Sequence, residues 1–320
     1  MQKISHAHCV VFAGALGILS FISPASAQNP GNGAAEQARQ TSTQTQTQLQ
    51  QQSSLPLGIS ANSLATYTPG DLDLGVQAIL KRKELEQPFR FFADAAGFYT
   101  DNVALVPTGK KSDSYIFMDL GFTYDQKLSD DWSIESTIRQ GFFRYQTFTA
   151  NDFEDFNLGG GLTYQAPKLW NTAFFARYNF ERFTQGDLSR DFFRNNTLTI
   201  GAQKTWFFNQ YQYAYLGYSS IFGWAVPDNS QRDEHGIFAG VHYNFTPKLY
   251  AELYDRVAYF DYKVDRNDWN ETLVATVGYI FNDYARITAS LTYATDHSSQ
   301  SVYNYDAITT GGGLALQLRF

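Results

Sequence analysis

The chain has 320 residues, of which 17% are aromatic (21 Tyr and 27 Phe among them), with a formal net charge of −7 and one cysteine. Mean hydropathy is −0.34, and the only long apolar run lies at the N-terminus, so a bundle of spanning helices is excluded, since each would need about 20 mostly apolar residues. The acidic balance argues against a nucleic-acid partner, and the length allows one large all-β domain or two ordinary ones.

In chain order, residues 1–27 read as a secretory signal. Lys3 sits in a short polar start, CVVFAGALGILSFI runs from Cys9 to Ile22, and Ala25-Ser26-Ala27 gives a cleavage site. Cys9 leaves with the signal, so the mature chain has no disulfide and no thiolate chemistry. Residues 28–70 are low-complexity and rich in Gln, Thr and Ser, with TSTQTQTQLQQQSS at their centre. Gln28 to Ser54 offers too little apolar surface to offset the entropy of ordering, which predicts a disordered periplasmic stretch. Residues 71–88, DLDLGVQAILKRKELEQP, predict a short helix or linker capped by Asp71 or Asp73 and ended by Pro88. This segment either plugs the lumen or rests below the main domain.

From Phe89 to Phe320 about twelve segments alternate apolar and polar residues, each long enough for a membrane-crossing strand of about 9 to 11 residues. In IFMDLGFTY, Ile116, Met118, Leu120, Phe122 and Tyr124 share one face, opposite Asp119, Gly121 and Thr123. FNLGGGLTY, GIFAGVHYNF, TLVATVGYIF and YARITASLTY repeat the pattern. Short connections at KLSDD, APK, FNQ, TPK and Asn282-Asp283 alternate with longer polar ones near 101–113, 146–155, 185–191, 225–234, 261–268 and 296–306. This predicts an all-β, transmembrane antiparallel up-and-down barrel of about twelve strands with both termini periplasmic. A soluble sandwich would carry core mixtures of Val, Leu and Ile. Here Trp132, Tyr164, Trp170, Trp206, Tyr243, Phe281 and Tyr293 recur near strand ends, as interface girdles require.

The last strand, TTGGGLALQLRF, sets Leu314, Leu316, Leu318 and Phe320 on one face. At this point the chain resembles bacterial outer-membrane β-barrels, whose final strand ends in an aromatic residue. The resemblance implies outer-membrane localisation among lipid and lipopolysaccharide, with Phe320 as the signal read by the barrel-assembly machinery. The stretch FRFFADAAGFYTDNVAL, Phe89 to Leu105, with its Asp101-Asn102-Val103, resembles the start of the β-barrel porin 2 family.

Parity places Asp94, Asp119, Glu135, Arg139, Arg177, Glu181, Glu252, Tyr254, Arg256, Arg286 and Arg319 on the lumen side. These charges either set a transverse field across a wet channel or pair across strands as a structural filling. Lys204 and Asp255 fall on the lipid side. Lys204 can snorkel to the interface, whereas Asp255 predicts a bulge or a strand nearing its loop. The long loops carry more acid than base, so their mouth is expected to repel anions. DRND from Asp265 lacks the glycine and distal Glu of an EF-hand, so no metal and no cofactor are expected.

Of the mature chain's three histidines, His235 and His297 are assigned to loops and His242 to the lumen, and no G-x-S-x-G stretch accompanies them. A catalytic role is therefore not expected. The reading that follows is a channel, either a passive porin or an export conduit, for small polar or saccharide-like solutes. A closed structural or surface-interaction barrel working through acidic aromatic loops is the alternative, and an outer-membrane hydrolase the third.

Overall fold

The computed structural model describes residues 30–53, 87–170, 172–209 and 212–320. The signal and nearly all of the 71–88 segment lie outside the described residues. Among the described residues twelve strands follow one α-helix, α1 (Pro30–Ser53). They are β1 (Phe89–Thr100), β2 (Asp113–Lys127), β3 (Trp132–Tyr145), β4 (Phe153–Ala166), β5 (Thr172–Gln185), β6 (Asp191–Asn209), β7 (Gln212–Val226), β8 (Arg232–Asn244), β9 (Leu249–Tyr262), β10 (Arg266–Asn282), β11 (Ala285–Ser298) and β12 (Tyr305–Arg319).

Each strand pairs antiparallel with its neighbours in sequence, and β12 returns to pair with β1, so the sheet is a closed barrel without edges. At the seam Phe89 and Phe320 exchange backbone N–H···O bonds of 3.1 and 3.0 Å. Closure leaves every strand paired on both sides, the condition for crossing a medium that supplies no hydrogen bonds. Among the described residues no helix is long and apolar enough to cross a membrane.

The alternation sorts the two faces as expected. Ile116, Met118 and Leu120 stand exposed on the outside, and so do Leu314, Leu316, Leu318 (52%) and Phe320 (59%). An apolar exterior of this extent belongs in lipid. Aromatic rings gather at the short-turn end of that exterior: Trp132 lies 4.9 Å from Tyr164, and Phe89 lies 5.8 Å from Phe320. Inside, Gly278 and Gly240 leave room for rings from the next strand, since a Cβ there would sit 2.2 Å from Tyr250 and 2.3 Å from Tyr215.

Three expectations change. The strands run 12 to 19 residues, longer than a minimal span, so the connections shrink and Asp155, Arg232, Glu234, Arg266, Asp268 and Asp296 belong to strands rather than loops. His235 and His297 likewise lie in β8 and β11. Asp255 sits in mid-strand opposite Ala239 and Leu273, in a continuous ladder without a bulge; nothing in the structure explains it. Lys204 reaches the Trp170 carbonyl at the short-turn end.

The largest change concerns the Gln-rich segment. Instead of disorder, Pro30–Ser53 forms a helix, with Pro30 at its start, where the missing N–H has no cost. Alone, so polar a helix would be marginal in water. The inner wall of the barrel supplies what its composition does not.

Candidate functional site

The candidate site is the lumen and the helix it holds. Ala35, Ala38, Ser42 and Thr45 are buried, and their spacing of three and four residues puts them on one face of α1. Small side chains there let the helix approach the wall closely. Glu36 meets Arg232 of β8 and accepts a 3.0 Å bond from the Tyr262 hydroxyl of β9, and Gln37 donates to the Val103 carbonyl in the 101–112 loop. Further along the helix, Ser42 and Gln46 donate to Asp155 of β4 at 2.7 and 2.9 Å, and Thr45 bonds the Tyr115 hydroxyl of β2 at 3.1 Å. From Glu36 to Gln46 the helix rises about 15 Å. Because every one of these partners lies near the long-loop end of its strand, α1 crosses the mouth from the β8–β10 wall to the β2–β4 wall.

Two kinds of wall receive it. On one side runs an arc of inward aromatic rings from β1 to β6. Phe98 and Tyr115 lie 5.3 Å apart, Phe143 and Phe153 stack at 4.2 Å, Phe153 and Phe183 lie 5.2 Å apart, and Phe183 and Phe193 are 4.9 Å apart. Ala35 and Ala38 pack into this cluster. On the other side lies a charged lattice. Arg232, its side chain 2% exposed, holds Glu36 and bonds Glu234 at 2.8 Å. Arg39 of the helix and Arg256 of β9 reach the same Glu234 at 3.1 and 2.8 Å. Arg232 stacks on Phe260 and Arg266 on Tyr262, both at 3.9 Å. Burial alone would raise the Glu36 carboxyl, but the guanidinium groups of Arg232, Arg39 and Arg266 outweigh it and hold the group down at about 2. A cavity of about 30 Å³ remains beside Glu36, Gln40, Arg266 and Tyr305, which is too small for a sugar.

The eleven residues assigned to the lumen by parity divide into groups by what they contact. Arg139 bonds Asp155 at 2.6 Å and lies 3.6 Å from Asp119. Glu135 pairs with Arg177. Arg256 belongs to the lattice just described. Glu252 accepts a 3.3 Å bond from Tyr215 and lies 3.5 Å from His242, whose ring is stacked between Tyr213 and Tyr250. Asp94, Glu181, Arg286 and Arg319 have no ion-pair partner within 4.0 Å among the described residues, and Tyr254 lies 6.5 Å from Phe238.

Sequence reasoning missed Asp155, Arg232, Glu234, Arg266 and the inner aromatic arc. It also missed α1, whose signal was the small-residue spacing of Ala35, Ala38, Ser42 and Thr45. The acidic mouth is altered too: Asp155, Glu234 and Asp268 are buried and paired with arginine rather than set on a solvated rim.

No family model and no curated protein matches the chain in sequence, so the likeness to the β-barrel porin 2 family rests on the Phe89 to Leu105 stretch alone. Among solved structures, an outer-membrane channel from Pseudomonas putida F1 superposes with a TM-score of 0.53 at 10% identity, over 79% of this chain and 100% of that one. The NanC porin gives 0.41 at 10% identity over 71% and 100%. The KdgM porin in complex with disordered oligogalacturonate gives 0.40 at 8% identity over 70% and 98%. Together with the apolar exterior and the closed twelve-stranded sheet, the first of these likenesses gives the chain the fold of a bacterial outer-membrane β-barrel.

Proposed function

We infer that the protein is an outer-membrane channel, a porin-like or export conduit for small polar or saccharide-like solutes, whose mouth is closed by its own N-terminal helix. The observation that carries this reading is the way α1 is held. It fills the mouth through hydrogen bonds, ion pairs and small side chains, contacts that water and a solute can replace. The remaining lumen wall bears Asp94, Arg286 and Arg319 without ion-pair partners, charges that a polar solute would meet. In this reading the barrel's first and last strand ends, Phe89 and Phe320, lie on the periplasmic side and the long loops face outward, with Phe320 serving the barrel-assembly machinery and lipopolysaccharide surrounding the rim.

The test is single-channel conductance in a planar bilayer, comparing the mature chain with a variant lacking residues 28–88. Steady conductance from the truncated barrel, with closed or briefly opening traces from the intact chain, is the expected result. Silence from both overturns the channel and favours a closed barrel that works through its loops.

A further inference from the structure

The outer wall carries a second, separate feature. Arg182 of β5 and Arg194 of β6 are directly opposed Cα partners. Both are exposed and on the lipid-facing parity. Like charges placed opposite one another on neighbouring strands repel, and neither has a carboxylate within 4.0 Å among the described residues. Arg182 lies over the Phe156 ring, 5.7 Å from its centroid, which keeps the guanidinium close to the barrel surface. One strand further on, Arg144 of β3 also points outward, bonded to Glu154 at 2.7 Å. Of the other carboxylates of this corner, Asp152 accepts the Tyr145 N–H at 2.7 Å, Asp187 accepts the Ser189 N–H at 2.9 Å, and Asp191 opens β6.

The height of this pair on the wall is marked by its neighbours. Tyr178 donates to Asn196 at 2.6 Å, and Asn196 is the register partner of Trp224. Trp224 is exposed two residues from the long-loop end of β7 and forms part of the aromatic girdle on that side, and Tyr178, exposed at mid-strand, reaches toward it through Asn196. Arg194 lies two residues beyond Asn196 toward the loops, and Arg182 four residues beyond Tyr178. Both therefore stand just outside the girdle, at the level of lipid headgroups.

We propose that this face of β3 to β6 binds a phosphate-bearing lipid headgroup, with Arg182 and Arg194 gripping the phosphate oxygens and Arg144 at the edge of the site. An anion between the pair cancels their repulsion, and two forked guanidinium groups match its tetrahedral oxygens. The site does not depend on whether the lumen conducts.

The experiment uses the full mature protein in nanodiscs of uncharged lipid and measures, by native mass spectrometry, binding of a doubly phosphorylated glycolipid against the same lipid stripped of phosphate. A preference of at least about tenfold for the phosphorylated lipid is expected. It should disappear in Arg182→Gln/Arg194→Gln and survive in part in Arg182→Lys/Arg194→Lys, where charge remains but the fork is lost. Both pairs are exposed on the exterior; heat-modifiable migration on gels reports whether each variant has folded, and single substitutions replace any double that has not. Equal binding of the two lipids, or a double Gln variant that binds like the native protein, overturns the proposal. So does displacement of the lipid by inorganic phosphate at equal concentration, which would show that the tail and the wall contribute nothing.

Discussion

At the long-loop end of the lumen, Arg232 meets Glu36, Glu234 and Tyr262 and is withdrawn from water. At the short-turn end, Arg90 and Arg319 stand opposite one another on β1 and β12 with no carboxylate within 4.0 Å. The same residue type thus serves two ends. Where a helix supplies the counter-charge, arginine is part of a seat. Where none does, it remains a charge presented to whatever enters. Inward parity alone does not separate these roles; the contents of the lumen do.

That contrast can be broken in graded steps. The largest effect should come from Arg232→Ala, which strands Glu36 and Glu234 as buried carboxylates short of a partner. Removing one member of such a network costs about 3–5 kcal/mol. The helix should leave its seat, read as protease cleavage within residues 30–53 and as conductance in the intact chain. A native melting curve with an uncut helix would put the seat elsewhere.

Acid is the next lever. The Glu36 carboxyl is held at about 2 against an ordinary 4.5, so its contribution to seating the helix is complete above about 4.5 and is lost as pH falls toward 2. Openings of the intact channel should be unchanged between pH 7 and 5 and should rise below 4.5. A rise centred near pH 6 would assign the effect to some other group.

Smaller still is Ser42→Ala, which removes one of the bonds to Asp155 while Arg139 and Gln46 keep theirs. A loss of about 1 kcal/mol in thermal stability is expected. The smallest stability change should follow Arg90→Gln/Arg319→Gln, within about 0.5 kcal/mol, because no ion pair is broken. In the truncated barrel, however, this variant should shift the reversal potential toward cations. A large stability loss there would place these arginines in a structural role as well and erase the contrast.

The barrel itself was legible because lipid and lumen impose opposite demands on alternate residues, and Ile116, Met118 and Leu120 against Asp119 and Thr123 show that directly. The upper strand ends were not. Near the mouth the outward residues enter the headgroup zone and the inward ones face α1, so Asp233 and His235 outside alternate with Arg232, Glu234 and Gly236 inside and the contrast vanishes. The helix was hidden for a related reason. A search for an apolar stripe assumes an apolar partner, and the partner of α1 is a wall of hydroxyls, carboxylates and guanidinium groups softened by aromatic rings. Phe117, Phe143 and Phe153 were similarly masked, since each is apolar on the side expected to be polar.

The seam between Phe89 and Phe320 also carries a consequence for how the molecule is made. The chain writes α1 before any strand, yet the helix touches β2, β4, β8 and β9, and the last bonds of the cylinder involve its final residue. The cylinder shuts only where β12 meets β1, and the seat of α1 is complete only once β8 and β9 stand beside it. A segment written before every strand thus finds its place only in walls that the later ones build.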